Sequence, residues 1–175
     1  MTSAAVHSLV EERVRFGRDI PADVNALLQR AAASTGDFGV AERALLDALA
    51  LAPQQLEVFI ALYKLYFYRG FTERAEQVVL QTLGSAAASG GFDADWRVLE
   101  AGAADWQSVD GPERVYLYSL KALCFIRLRQ DDRAAAAEVF AALRRLDPLD
   151  QVGATVLADL AEGLADHRDD NDGQY

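Results

Sequence analysis

At 175 residues, 51% hydrophobic and 25% charged, the chain is long enough to bury one real core and too apolar to be a disordered segment. Its formal charge of −10 argues against a nucleic-acid partner, because phosphate recognition needs a basic face. No apolar run is long enough for a membrane span (Val58–Phe67 is broken by Lys64), Met1–Val10 lacks the features of a signal peptide, and the single Cys124 allows no internal disulfide. A cytoplasmic protein is the expectation.

Every long segment repeats its apolar residues with helical period, and none alternates like a strand. A first helix is predicted over Ser3–Phe16, with Val6, Leu9, Val10 and Val14 as its stripe, ended by Gly17 and Ile20-Pro21. Next come Ala22–Ser34, a turn at Thr35-Gly36-Asp37, and Phe38–Leu51, followed by Leu56–Arg69, a turn at Gly70, and Thr72 to about Ala87. An extra segment opens at Gly90-Gly91 and closes at Gly111-Pro112, with a short helix predicted over Asp93–Ala101 behind an Asp93 N-cap. Pro112–Arg129, a turn at Gln130-Asp131, and Asp132–Leu146 form another pair. A last helix over Leu149–Ala165 carries Val152, Val156, Leu157, Leu160 and Leu164. From Asp159 onward six acidic residues face one Arg168, a net −5 that is half the charge of the chain; residues 166–175 read as a flexible acidic tail that either solvates the protein or docks a basic partner.

Three of these pairs share a 34-residue period. Leu28, Ala41, Ala48 and Pro53 recur as Leu62, Ala75, Thr82 and Ala87, and again as Leu123, Ala136, Leu143 and Pro148; Pro53 to Pro148 is 95 residues, 27 more than two periods. The period has a physical cause: each pair can bury only one side of itself, so a neighbour must cover the other. Ala41, Ala75 and Ala136 stand where two helices approach closely, and Leu45, Val79 and Phe140, four residues later, fill the space between pairs. Gly36 and Gly70 suit a turn with a positive backbone dihedral, and Asp131 tolerates it better than most residues.

These residues, with the Tyr63 and Tyr66 pair and the terminal Pro53 and Pro148, resemble the tetratricopeptide repeat family. The resemblance implies an all-α, right-handed helical-hairpin solenoid of three repeats, about 22–55, 56–89 and 117–150, in one domain over 1–165. It has an N-terminal helix, an insertion at about 90–116 between repeats two and three, and a C-terminal capping helix. Asn25, Arg127 and Ala87 depart from the family pattern. In that family the first helix of each pair lines a concave groove. The positions carried over are Asp23, Ala26, Arg30 and Ala33; Glu57, Ile60, Lys64 and Phe67; and Tyr118, Lys121, Phe125 and Leu128. Both lysines of the chain, Lys64 and Lys121, fall in this set beside Phe67, Tyr118 and Phe125. Such a surface, with Arg30, suits a peptide or protein partner offering apolar anchors and an acidic group. Of the residues with which relatives clamp a chaperone's terminal carboxylate, Lys121 alone is present.

The insertion holds both tryptophans, in the near-repeat Ala94-Asp95-Trp96 and Ala104-Asp105-Trp106. Trp96 and Trp106 either plug the gap between the second and third pairs or form a side wall to the groove or a dimer contact. His7 and His167 stand at opposite ends, no metal-ligand spacing or phosphate loop occurs, and Cys124 reads as a packed thiol. The expectation is a non-enzymatic adaptor or assembly factor with no cofactor and no metal. Alternatives are a chaperone of the type III secretion kind and a self-associating homodimer. A narrower resemblance rests on Ala61-Leu-Tyr-Lys-Leu-Tyr-Phe-Tyr68, Tyr116-Leu-Tyr-Ser-Leu-Lys-Ala122 and Leu146-Asp-Pro-Leu-Asp150, which are similar to small bacterial repeat proteins encoded among nitrogen-fixation genes. It implies a partner in nitrogenase assembly.

Overall fold

A computed structural model describes residues 20–34 and 36–156. These form six helices: α1 (Ala22–Ala33), α2 (Phe38–Leu51), α3 (Leu56–Tyr68), α4 (Thr72–Gly90), α5 (Gly111–Arg129) and α6 (Arg133–Leu146). Among the described residues there is no strand, and the protein is an all-α bundle in which each helix packs chiefly on the next along the chain. The predicted first helix, Ser3–Phe16, lies outside the described residues, as do Thr35 and everything after Val156.

Local chemistry sets the helix ends. The Asp37 carboxylate accepts from the Val40 amide at the start of α2, and Asp132 does the same for Ala135 at the start of α6. The α3–α4 and α5–α6 turns close alike. Gly70 (φ 79°) and Asp131 (φ 63°) take the left-handed conformation, and the next amide reaches back five residues, from Phe71 to the Tyr66 carbonyl and from Asp132 to the Arg127 carbonyl. Asp131 therefore does at the third pair what glycine does at the second.

The close-approach residues Ala41, Ala75 and Ala136 are all buried, with Leu45 and Val79 beside them and Phe140 half-buried. Leu62, Leu83, Leu120, Leu123, Ile126 and Leu143 fill one continuous core from α3 to α6. Burial of this kind, at roughly 25 cal/mol per Å² of apolar surface, is what holds a stack of helices together.

Three expectations are corrected. Helix α4 runs on past Ala87 to Gly90, because Ala86 and Ala87 are buried against the core and the chain turns only at Gly91 (φ 73°). The ring of Phe92 then lies where a side chain at Gly90 would sit. Asp93–Ala101 is a run of turns, not a helix. Asp93 spends its carboxylate on the Asp95 amide two residues on, at 2.8 Å, a turn geometry that competes with helix initiation. The last predicted helix does not begin at Leu149 either. Residues 147–153 turn, with Asp150 (φ 53°) and Gly153 (φ 66°) left-handed, and helix opens at Thr155, whose amide and hydroxyl both donate to Asp150.

Candidate partner-binding face

Val24 of α1, Ala48 of α2 and Val58 of α3 form one buried cluster, and the rings of Phe67 on α3 and Phe125 on α5 lie 5.1 Å apart. Side chains of α1 thereby meet α3, and those of α3 meet α5. On α1 the buried and half-buried residues are Val24, Leu27, Leu28 and Ala31, which leaves Asp23, Ala26, Arg30 and Ala33 exposed on the other side. Their counterparts 34 residues on, Glu57, Ile60, Lys64 and Phe67, are all half-buried. On α5 Tyr118 is half-buried while Lys121, Phe125 and Leu128 are buried. This face is thus open at α1, partly covered at α3 and closed at α5.

Part of what closes it is the chain's own return from α6. Asp147, buried, accepts from the Gln151 and Val152 amides at 3.0 and 2.9 Å, folding this segment into a tight turn. Arg114 on α5 then donates to the Gln151 side chain and carbonyl at 3.2 and 3.0 Å and lies 5.0 Å over the Tyr118 ring. Lys121, only 5% exposed, donates to the Val152 carbonyl at 2.6 Å. Of the six residues expected to meet a partner, Phe67 and Phe125 touch each other, Lys121 is engaged by this returning segment, Tyr118 is engaged by Arg114 of its own helix, and Arg30 and Lys64 share one register position on α1 and α3.

Trp96 and Trp106 are buried, at 6% and 3% exposure. Their near-repeat has a structural cause: the Asp95 carboxylate accepts from the Arg97 amide and that of Asp105 from the Gln107 amide, so each aspartate closes a turn over the tryptophan next to it in the chain. The Trp106 ring packs with Phe92 and Tyr116 at 5.0 and 5.8 Å. Trp96 lies between Arg97 and Arg127, their guanidinium carbons 4.8 and 5.5 Å from its ring. Arg127 also pairs with Glu76 of α4 at 3.1 Å, joining the second pair to the third. The turns of 91–110 are anchored to the helices by side-chain donors: Tyr116 to the Ala94 carbonyl at 2.8 Å, and Arg145 to the Leu99 and Trp96 carbonyls at 2.8 and 2.7 Å. Neither Tyr116 nor Arg145 stands out in the sequence, since an aromatic and an arginine are ordinary on a helix.

Over 131 residues, 74% of this chain, the sequence is 31% identical to an uncharacterized 19.8 kDa protein in the nifW 5′ region of Azotobacter chroococcum mcd 1, of which the match covers 72%. The chain belongs to the family of that protein. No family model matches it.

Cys124 is buried with its thiol against the Ala136 carbonyl at 3.4 Å, and burial pushes its pKa up to about 11 despite nearby Arg127. Such a thiol is a poor nucleophile at neutral pH. Burial likewise raises Tyr66, with the Glu42 carboxylate that accepts from its hydroxyl adding to the rise, and burial raises Tyr68. No group of three or more His, Cys, Asp or Glu among the described residues could hold a metal ion, and no helix among them is long and apolar enough to cross a membrane.

Proposed function

We propose that this chain is a tetratricopeptide-type stack of three helical hairpins that holds a protein segment on the α1–α3 face, without catalysis, in the assembly or maintenance of nitrogenase. The observation that carries the biological half is the relative in the nifW 5′ region. The recognition half is supported by the open stretch of the face. Cations recur at the ninth repeat position (Arg30, Lys64), acids at the second (Asp23, Glu57), and Ala26, Ile60, Ala33 and Phe67 lie between and beside them. A segment with apolar anchors and carboxylates along one edge matches that pattern, the apolar part supplying contact energy and the charges setting register.

The test is a tagged chain expressed in a bacterium growing on dinitrogen, with wild type and Lys64→Glu compared by affinity capture and mass spectrometry. A nitrogenase component or one of its assembly proteins should co-purify with wild type in near-stoichiometric yield and drop at least tenfold with the variant. An unchanged set of captured proteins would remove the face from consideration, and capture of proteins unrelated to nitrogen fixation would remove the pathway.

A further inference from the structure

The turn between α3 and α4 departs from the other two at one residue. Asp37 and Asp132 stand four residues before Ala41 and Ala136, and each caps its helix by accepting from the amide three residues on, that of Val40 or Ala135. Phe71 stands four residues before Ala75, and α4 begins with no side-chain cap. A helix start without a cap is less stable than one with it, so the fold alone favours aspartate here as well.

What the turn gains is an exposed ring. Of the aromatic residues described, only Tyr68 and Phe71 are exposed, at 44% and 41%. Both are held in place. The Phe71 ring packs on Phe38 at 5.1 Å with the Arg74 guanidinium carbon 5.6 Å from it, and the Tyr68 ring meets Phe67 edge-on at 5.7 Å. Between them the backbone is closed by the bond from the Phe71 amide to the Tyr66 carbonyl. Rings fixed before contact lose little freedom on docking, and aromatic anchors of this kind dominate the energy of interfaces.

Charge selects the occupant. Two copies of a chain at −10 repel each other wherever acidic surfaces meet. Over 93–114 six carboxylates stand against Arg97 and Arg114, whereas over 66–77 Arg69 and Arg74 balance Glu73 and Glu76. The aromatic turn is thus neutral and carries both signs, which suits a two-fold contact, where each residue meets a different residue of the other copy and the reverse. We propose that this turn is the centre of a contact between two copies of the chain, with Tyr68 of each protomer packed on Phe71 of its partner. The contact does not rest on the partner reading above.

The test is sedimentation equilibrium of the full-length protein at roughly 1–100 µM, a range that reads a Kd of micromolar order. Wild type should approach twice the monomer mass as concentration rises. Phe71→Asp supplies the cap present at the other two turns. It should weaken the association more than tenfold without lowering the urea midpoint of the monomer. Tyr68→Ala should weaken it several-fold, and Lys64→Glu should leave it unchanged. Wild type that stays monomeric throughout this range overturns the proposal, as does a dimer that Phe71→Asp leaves intact. A monomer whose captured protein is lost in Phe71→Asp gives the two rings to that protein and overturns it too. A dimer dissociated by Phe71→Asp, beside unchanged capture in Lys64→Glu, removes the partner face and leaves this contact standing.

Discussion

In the paired helices, backbone donors and acceptors are satisfied within each helix, and the pairs adhere through side-chain packing around Ala41, Ala75 and Ala136. In segment 91–110 no helix satisfies the backbone. There the carbonyls of Ala94, Trp96, Leu99 and Glu100 accept from Tyr116, Arg145, Arg145 and Trp106, respectively. Irregular backbone that packs against a core must find partners for its polar groups, and here they come from particular side chains on α5, on α6 and in the segment itself. Helix pairs of this kind tolerate exchange of one apolar residue for another of similar volume. The insertion depends on named donors, so it fails by single substitutions that look mild.

The largest expected effect breaks the insertion at its centre. Trp106→Ala empties a site packed by Phe92 and Tyr116 and should cost about 3–5 kcal/mol in urea unfolding. A loss below about 1 kcal/mol would mean that the segment is not part of the cooperative core.

Next in size is Arg145→Ala, which leaves the Leu99 and Trp96 carbonyls without their charged donor. Bonds to charged groups contribute about 1.5–3 kcal/mol, and a total near 2 kcal/mol is expected. The exposed Arg144→Ala one residue earlier should change stability by no more than about 0.5 kcal/mol. Equal effects of the two would contradict the anchoring role.

The third prediction probes the helix side. The Cys124 thiol has its pKa raised from 9.0 to about 11 by burial between α5 and α6. The folded protein therefore holds this proton more tightly than the unfolded chain. Its contribution is fully present below pH 9, is lost as pH rises through 11, and amounts to about 3 kcal/mol. Cys124→Ala should flatten that part of the alkaline decline relative to wild type, leaving what Tyr66, Tyr68 and Tyr116 contribute in the same direction. Identical slopes in the two proteins would place the thiol in contact with solvent.

This division also explains what could be read from the sequence. The six described helices follow from apolar period, turn residues and the 34-residue register, because those signals are local or repeat. Asp131 is legible as a glycine substitute for the same reason. The insertion is not: Asp93 looks like an N-cap, yet its carboxylate and that of Asp95 close turns, a choice fixed by the burial of Trp96 rather than by propensity. The Ala-Asp-Trp near-repeat is the visible trace of that choice. At the candidate face the register could not show that Lys121 is taken up by the return of the chain through Gln151 and Val152, which depends on where residues 147–153 turn.

The central claim is that the insertion is a structural plug and that recognition belongs to the α1–α3 face, and the two tryptophans report on it without any mutation. Iodide quenching of the full-length protein should give a Stern–Volmer slope several-fold below that of free tryptophan, rising to the free value in denaturant. A native slope close to the free value would put Trp96 and Trp106 at the surface, make the insertion a binding wall, and contradict the account.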